Sequence, residues 1–405
     1  MAIEIDEEGF TVESEEPEYD HFDDSAVYDI RIKVFGIGGG GGNAVENMAK
    51  KGLRSGESDD VNIEFIAVNT DVAALKKKDK TIMRRVQIGS KCAKGRGAGG
   101  KPEIGAQAAE ENREEIQKEL KGASLVFISA TMGGGTGTGA APIVASIAQD
   151  MGILTVGVVT KPFNYEGMPK MNKAMKGIDE LRKHVDALVI IPNQKLMTLN
   201  EKGLTYEAAF RMVDDVLYRS VRIISEIINT TGQMNVDFAD LSSTIKDAGD
   251  AHIAIGSGTG DKKVDDAVAE VVSSPLLETS IQNAGKLLVY VNLSRDVTMI
   301  DVDDAISKIT KACDPSAEII TGANFFDDES VKDTITISVI ATSFKDSFTS
   351  VAAETESVAE KIINDTAAVS KPKNDFASYL KDSKSGSGSS DDAYSELESL
   401  FKSRG

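Results

Sequence analysis

Tryptophan is absent from this sequence of 405 residues, aromatic residues make up 5% of it, and it contains only two cysteines and three histidines. The two cysteines, Cys92 and Cys313, are far apart in the chain, and neither has a CxxC partner or a nearby histidine. Disulfide, zinc and thiol-catalysis interpretations therefore have little support. We expect two reduced thiols.

Long hydrophobic runs and an excess of positive charge are also missing. No stretch of about 18 apolar residues occurs, and the N-terminus is acidic where a signal peptide would be basic and then apolar. The formal net charge is −20, which argues against general nucleic-acid binding and against attraction to an anionic bilayer. We expect a soluble, cytosolic protein with no nucleic-acid partner and no direct membrane insertion.

Glycine, by contrast, is concentrated at residues 133–139, where five glycines and two threonines occur in seven positions. The apolar run 124–131 before them is typical of a buried strand, and the small residues 140–150 after them are typical of a helix with Pro142 in its first turn. Backbone N–H groups at a helix start lack intrahelical partners and attract anions. The segment therefore predicts a phosphate-binding loop, and its composition disfavours a turn that only packs tightly.

Apolar periodicity predicts the elements of secondary structure along the chain. The predicted strands are 32–37, 62–69, 86–88, 124–131, 153–159, 186–191, 253–256, 287–293, 318–322 and 334–341. The predicted helices are 44–51, 104–120, 140–150, 172–184, 204–229, 238–248, 264–272 and 302–312. Alternation in the first half predicts a Rossmann-like α/β domain with a parallel sheet, and the second half predicts a smaller α+β domain with a mixed or antiparallel sheet.

Composition and pattern together divide the chain into five parts. These are an acidic, disordered arm at 1–30, a nucleotide-binding domain at 31–203, a long central helix at 204–229, the α+β domain at 230–343, and a flexible linker and tail at 344–405. Ligands of parallel sheets bind beyond the carboxyl ends of the strands. Three glycine-rich loops, at 36–42, 95–100 and 133–139, are predicted at that edge.

Two other nucleotide-binding motifs can be weighed against this arrangement. Residues 36–41 fit the dinucleotide fingerprint GxGxxG, but the acidic residue that should follow roughly 20 positions later has no good candidate, since Asp71 is too far away. A P-loop NTPase is excluded because no GxxxxGK[ST] occurs. What remains is a phosphate site made mostly of backbone, without a cradle lysine.

Five motifs resemble those of the FtsZ family of tubulin-like cell-division GTPases. They lie at 36–45, 97–102, 132–142, 161–167 and 235–240. The likeness runs in order from about residue 31 to residue 341, and the glycine–threonine segment is its most specific part. The N-terminal arm and the far C-terminus lie outside it.

The resemblance implies that GTP or GDP lies across the three glycine loops. The implied contacts are Gly38, Gly39, Gly40, Asn43, Gly97, Ala98, Gly99, Gly133, Gly134, Gly135, Thr136, Gly137, Thr138 and Lys170. It further implies that Glu166 meets the ribose, that Phe210 stacks on the base and that Asp214 reads it. A carboxylate only accepts hydrogen bonds, and guanine offers it two adjacent donors. Asp215 competes for that role, and without the resemblance Phe210 would be assigned to the core.

The resemblance also implies that Asn235, Asp237 and Asp240 of one subunit complete hydrolysis on the GTP of the next, so that head-to-tail assembly activates the enzyme. Carboxylates can polarise the attacking water directly or through a cation. From the residues alone, capping of the following helix by Asp237 or Asp240 is the stronger interpretation. We expect Mg²⁺ to be held mainly through the nucleotide phosphates, and leave open a monovalent cation.

Some positions depart from the family pattern. Lys170 stands where many relatives have an arginine, Thr131 replaces a usual glycine, and Gln194 replaces an aspartate. The tail segment 375–381 resembles the family's partner-binding peptide but lacks its proline, and 394–402 is a second candidate. The resemblance implies a filament-forming GTPase at the mid-cell division site, bound through its tail to division proteins and membrane-tethering adaptors. A slowly hydrolysing scaffold is the second hypothesis, and an NAD-dependent enzyme is disfavoured.

Overall fold

The computed structural model describes residues 30–52, 61–196, 205–229, 234, 236–273, 281–326 and 330–344. The predicted acidic arm and the predicted linker and tail lie outside these residues, except for one residue each. Asn235, one of the three candidate catalytic residues, also lies outside them.

The described strands form a single ten-stranded sheet in the order β3-β2-β1-β4-β5-β6-β7-β10-β8-β9. The strands are β1 Ile30–Ile37, β2 Val61–Asn69, β3 Arg84–Gln87, β4 Leu125–Thr131, β5 Leu154–Lys161, β6 Ala187–Pro192, β7 Gly249–Thr259, β8 Lys286–Leu293, β9 Glu318–Phe325 and β10 Thr334–Thr342. From β3 across to β7 in this order, each pair of neighbouring strands is parallel. Strand β10 runs antiparallel to both β7 and β8, and β8 and β9 are parallel. The predicted α/β class and the parallel sheet are confirmed.

Helices lie on both faces of this sheet. They are α1 Gly38–Lys50, α2 Val72–Lys76, α3 Pro102–Glu111, α4 Arg113–Leu120, α5 Thr136–Asp150, α6 Met168–Arg182, α7 Asn193–Leu196, α8 Tyr206–Asn229, α9 Phe238–Ile245, α10 Lys263–Val272 and α11 Met299–Lys311. None of the helices in the described ranges is long and apolar enough to cross a membrane.

The core is layered, as expected for parallel strands buried on both faces. Val34 of β1 packs in one cluster with residues of α1 and α8, and Phe35 beside it packs in another with residues of α3 to α6. A third cluster joins α10 and α11 to β7, β8 and β10. Both cysteines are free, and burial raises the pKa of Cys313 to about 11.

Two predicted helix starts are wrong because the glycine-rich segments are themselves helical. Helix α1 begins at Gly38 and not at residue 44, and α5 begins at Thr136, which places Pro142 inside the helix and not in its first turn. A Cβ at Gly41 would lie 2.2 Å from the carbonyl oxygen of Ser129. Glycine therefore lets α1 lie directly against β4, and this close packing outweighs its low helix propensity.

Several other boundaries also differ from the prediction. The helix predicted at 104–120 is two helices, interrupted at Asn112, whose side chain accepts a hydrogen bond from the backbone N–H of Gly89 at 2.8 Å. Helix α9 ends at Ile245, three residues early, and Asp247 follows with a φ of 52°. Strand β7 has 11 residues, because its first part pairs with β6 and the rest with β10.

Candidate functional site

The first turns of two helices meet at the carboxyl edge of the sheet. Helix α1 follows β1 and α5 follows β4, and these two strands are hydrogen-bonded neighbours. A Cβ at Gly38 would lie 2.9 Å from the backbone nitrogen of Gly137, so the two helix starts are in close contact. Neither start has a side-chain cap. Unpaired N–H groups and two helix dipoles therefore converge on one space, which favours an anion there.

A cavity of roughly 390 Å³ opens at this point. It is lined by Ile37, Gly38, Gly39, Gly40, Asn43, Thr131, Gly134, Gly135, Thr136, Gly137, Thr160, Lys170, Asn193, Phe210, Val213, Asp214 and Leu217. Its volume is within the range of ordinary small-molecule sites. Eleven of the sequence-predicted binding residues are among the lining residues, so the structure brings together segments from 38 to 214.

Gly133 and Thr138 do not line the cavity, but they hold in place the glycine loop that does. The backbone N–H of Gly133 donates to the Thr138 hydroxyl at 2.8 Å, and Thr138 is buried. Gly133 has a φ of 98°, and a Cβ there would lie 2.7 Å from Cγ of Lys170. The Thr138 side chain therefore braces the glycine loop, and glycine at 133 allows α6 to lie against it.

The loop at 97–99 is also outside the lining of the cavity. The backbone N–H of Gly97 donates to the carbonyl of Thr70 at 3.2 Å. A Cβ at Gly135 would lie 2.8 Å from the Ala98 methyl group. This loop is therefore packed against the start of α5, while Gly99 does not line the cavity.

Glu166 and Lys170 form an ion pair at the start of α6. The Lys170 ammonium contacts Glu166 Oε2, and Glu166 Oε1 accepts from the backbone N–H of Phe163 at 2.9 Å. Lys170 lines the cavity and Glu166 does not. Lys170 is the one basic side chain among the lining residues, so it supplies positive charge beside the glycine loop, with Glu166 holding it in place.

Helix α8 contributes Phe210, Val213, Asp214 and Leu217 to the cavity. Phe210 meets the Phe163 ring edge to face, with centroids 5.5 Å apart, and also packs against the core. The Asp214 carboxylate accepts from the Asn47 side-chain amide at 2.5 Å. Nine residues of α1 separate Gly38 from Asn47, or about 13 Å along the helix. Asp214 is thus well removed from the anion-binding helix starts.

The two neighbouring aspartates of α8 are in different environments. Burial raises the pKa of Asp214, as does the nearby charge of Asp215, while Asn47 and the lysines Lys51 and Lys78 oppose the rise. Asp215 pairs with Lys51 and does not line the cavity. Of the two competing candidates, the geometry brings Asp214 to the site.

Asp237 and Asp240 do not line the cavity of their own chain. Asp237 is exposed at the N-cap of α9, where its Oδ1 accepts from the backbone N–H of Asp240 at 2.7 Å. The capping interpretation of Asp237 is confirmed. Capping engages Oδ1 of Asp237.

Sequence reasoning missed six lining residues, of which Thr160 and Asn193 are the most informative. The hydroxyl of Thr160 and Oδ1 of Asn193 are buried without a hydrogen-bond partner among the described residues. Asn193 is only 2% exposed. A buried polar atom without a hydrogen-bond partner costs folding free energy unless a ligand or water satisfies it. Both residues stand at the carboxyl ends of β5 and β6, where ligands of parallel sheets bind, and that rule could have found them.

The fold and the cavity define a GTPase domain of the tubulin type. Residues 31–201 match the family model described as Tubulin/FtsZ family, GTPase domain, and residues 249–345 match the model described as FtsZ family, C-terminal domain. The chain belongs to the FtsZ family.

Individual relatives agree with that assignment. The chain is 45% identical over 315 residues to the cell division protein FtsZ of Caulobacter vibrioides, covering 77% of this chain and 59% of that protein. It is 44% identical over 319 residues to the cell division protein FtsZ of Aquifex aeolicus, covering 78% of this chain and 84% of that one. The match therefore spans less than two thirds of the Caulobacter protein.

A solved structure shows the same fold. The empty FtsZ dimer of M. jannaschii matches with a TM-score of 0.69 and 36% sequence identity, over 77% of this chain and 88% of the other. The similarity in sequence and in fold thus extends over the GTPase domain and the C-terminal domain together.

Proposed function

We propose that this protein binds and hydrolyses GTP and assembles head to tail into filaments that form the contractile ring at the cell division site. The observation that carries the proposal is the cavity itself. Two uncapped helix starts and Lys170 supply positive charge at one place, and the half-buried carboxylate of Asp214 lies about 13 Å along α1. This polarity suits a nucleotide whose phosphates are anionic and whose base presents hydrogen-bond donors.

GTP would lie along α1, with its phosphates on the glycine-rich starts of α1 and α5. Direct contacts are assigned to Gly38, Gly39, Gly40, Asn43, Gly134, Gly135, Thr136, Gly137 and Lys170. The residues at 97–99, Gly133 and Thr138 keep those loops in place. Phe210 stacks on the base and Asp214 accepts from its N1–H and 2-amino groups. Glu166 meets the ribose, for which its ion pair with Lys170 must rearrange.

Hydrolysis is assigned to a site shared by two subunits. Asp237 and Asp240 lie outside the cavity of their own chain, and Asp237 is exposed. A second chain stacked on the first would bring them to the γ-phosphate, where a carboxylate can orient the attacking water. Such a heterologous contact generates an open filament. Asn235 is assigned to the same loop by its place in the sequence.

Mg²⁺ fits this site as a partner of the nucleotide. No group of three or more His, Cys, Asp or Glu side chains suited to a metal occurs in the described part of the chain. Mg²⁺ commonly binds through substrate phosphates and retains several waters, so it needs no protein cage. When bound, it would neutralise charge on the phosphates. A monovalent cation at the subunit contact is a further proposal.

The cellular part of the proposal rests on the relatives, which are named cell division proteins. The solved relative is titled a dimer, which supports self-association. We assign a nucleotide-binding domain at 31–203, a central helix at 204–229 and an activating domain at 230–343. The tail at 344–405 would recruit division proteins and membrane-tethering adaptors to cytoplasmic filaments at mid-cell.

The test is GTP hydrolysis per chain measured against protein concentration, with light scattering in parallel and ATP as control. Specific activity that rises above a threshold, together with scattering, is the expected result. Flat specific activity would mean that each chain hydrolyses alone and would leave Asp237 as a helix cap only. GTP-dependent scattering without hydrolysis would instead indicate a nucleotide-switched scaffold.

A further inference from the structure

The last turn of α1 and Lys51, which follows it, contact α8 beside the cavity. The Asn47 amide donates to Oδ2 of Asp214 at 2.5 Å, and one turn later Lys51 pairs with Asp215. The Lys51 ammonium also lies 4.9 Å from the centroid of the Tyr218 ring. Each of the two aspartates therefore has its own partner on α1, and the partners differ in kind: a neutral amide for Asp214 and a cation for Asp215.

A carboxylate that must accept two hydrogen bonds from guanine has to be ionised and correctly turned. Burial raises the pKa of Asp214, which opposes ionisation, and the charge of Asp215 acts in the same direction. The Asn47 hydrogen bond is the largest influence that lowers it, followed by the charges of Lys51 and Lys78. Lys78 in turn donates to Asn43 and Glu46, so its charge is shared.

The Asn47 amide is suited to this task because it is a donor without charge. A cation at this place would form an ion pair with Asp214 and compete with the base. The amide occupies one of about four acceptor positions of the carboxylate and leaves the others for a ligand. The second carboxylate, Asp215, pairs with Lys51 and lies outside the lining of the cavity.

We propose that Asn47 is a positioning residue for guanine recognition, which holds the Asp214 carboxylate turned toward the base, while Lys51 pairs with Asp215 outside the cavity. This inference rests on the proposed function, since it assumes that Asp214 reads the base. The competing explanation is that the hydrogen bond only packs α1 against α8.

The test compares GDP with inosine diphosphate, whose base lacks the 2-amino group. The full chain is studied with diphosphates, so that hydrolysis does not intervene. Dissociation constants are measured by competition with a labelled GDP from pH 4.5 to pH 8. The variants are Asn47→Leu, which removes the donor at similar volume, and Asn47→Gln, which retains an amide. Lys50→Leu is the control, because Lys50 pairs with Glu46 and not with α8.

The expected result is that Asn47→Leu weakens GDP binding by about tenfold at pH 7, since a hydrogen bond to a charged group is lost. Binding of inosine diphosphate should weaken less. The GDP affinity of the variant should also fall at a higher pH than that of the wild type as the solution is acidified, because the pKa of Asp214 rises further without the amide. Asn47→Gln should restore part of the preference, and Lys50→Leu should match the wild type.

Equal, pH-independent weakening of both diphosphates by Asn47→Leu would overturn the proposal and leave Asn47 as a packing residue. A wild-type protein with no preference for GDP over inosine diphosphate, and no response to Asp214→Asn, would overturn the proposed role of Asp214 itself. If Asn47→Leu does not fold, Asn47→Ala removes the same donor without adding volume, and the same outcomes apply.

Discussion

The two helices that begin at the cavity and two helices of the C-terminal half begin in opposite ways. Helices α1 and α5 start among glycines and have no side-chain cap. Helix α9 is capped by Asp237, and α11 by a reciprocal pair in which Thr298 and Asp301 accept from each other's backbone N–H groups. The capped helices satisfy their own N–H groups. At the cavity, the uncapped starts of α1 and α5 leave these groups for a ligand.

The largest expected effect comes from placing a negatively charged side chain in the first turn of α1. A Cβ at Gly39 would meet nothing within 4 Å, so Gly39→Asp adds a carboxylate to the first turn without a clash. Affinity for GTP and GDP should fall by about 10³-fold, because like charges placed together cost several kcal/mol. Nucleotide binding by calorimetry and the melting temperature together provide the check.

Gly39→Ala is the matched control and should lose less than tenfold in affinity. Tight binding by Gly39→Asp would mean that the phosphates do not rest on the start of α1, and the contrast between open and capped helices would lose its functional meaning.

The second prediction concerns the capped helix α9. Asp240→Ala should lower GTP hydrolysis in assembled protein by about 10²-fold, the usual contribution of a group that assists proton transfer, while GTP binding stays near normal. Hydrolysis and sedimentation of the assembled fraction are measured on the same samples.

Mixing Asp240→Ala with Gly39→Asp sharpens this prediction. The first variant binds GTP but lacks the carboxylate, and the second has the carboxylate but does not bind GTP. A site shared between subunits requires the mixture to be more active than either variant alone. A mixture that only averages the two would place the whole catalytic site within one chain.

The third prediction separates the two aspartates of α8. Asp214→Asn should lower the preference for GTP over ATP by about 10- to 100-fold, because a hydrogen bond to a charged acceptor contributes about 1.5–3 kcal/mol. Asp215→Asn should change the preference little, since Asp215 pairs with Lys51 outside the cavity. Competition of both nucleotides against labelled GDP measures the ratio. The reverse pattern would transfer base recognition to Asp215.

The smallest expected effect is on stability. Thr298→Ala should cost about 1 kcal/mol of unfolding free energy through loss of a cap, and Asp237→Ala a similar amount. Urea unfolding followed by circular dichroism measures both. The two variants should differ in function: GTP hydrolysis should be unchanged in Thr298→Ala and reduced in Asp237→Ala. Equal activity in both would show that Asp237 is a cap and nothing more.

Local patterns were sufficient for most of the fold. Each predicted strand exists, because runs such as 124–131 are mostly apolar and suit a strand buried on both faces. The long helix at 204–229 was predicted within two residues of its start, since its apolar residues follow helical spacing. The boundaries that failed, at Gly38 and Thr136, depend on contacts with other strands that periodicity does not contain.

The candidate site also has one part that the sequence predicts and another part that it does not. The glycine–threonine segment alone predicts an anion-binding helix start, because backbone donors and missing Cβ atoms are local properties. Thr160 and Asn193 come just after predicted strands, so the rule for parallel sheets could have placed them at the binding edge, whereas their burial without a hydrogen-bond partner depends on tertiary packing.

The sequence by itself indicated an acidic chain, glycine-rich loops suited to bind phosphate through backbone groups, and a few carboxylates as candidate site residues. Only the tertiary structure decided which of two neighbouring carboxylates lines the cavity. Asp214 and Asp215 are adjacent in the chain, yet one faces Asn47 and the cavity, and the other faces Lys51. The reason is physical: the helix turns about 100° per residue, so the packing of α8 against α1 separates neighbours that sequence pattern treats alike.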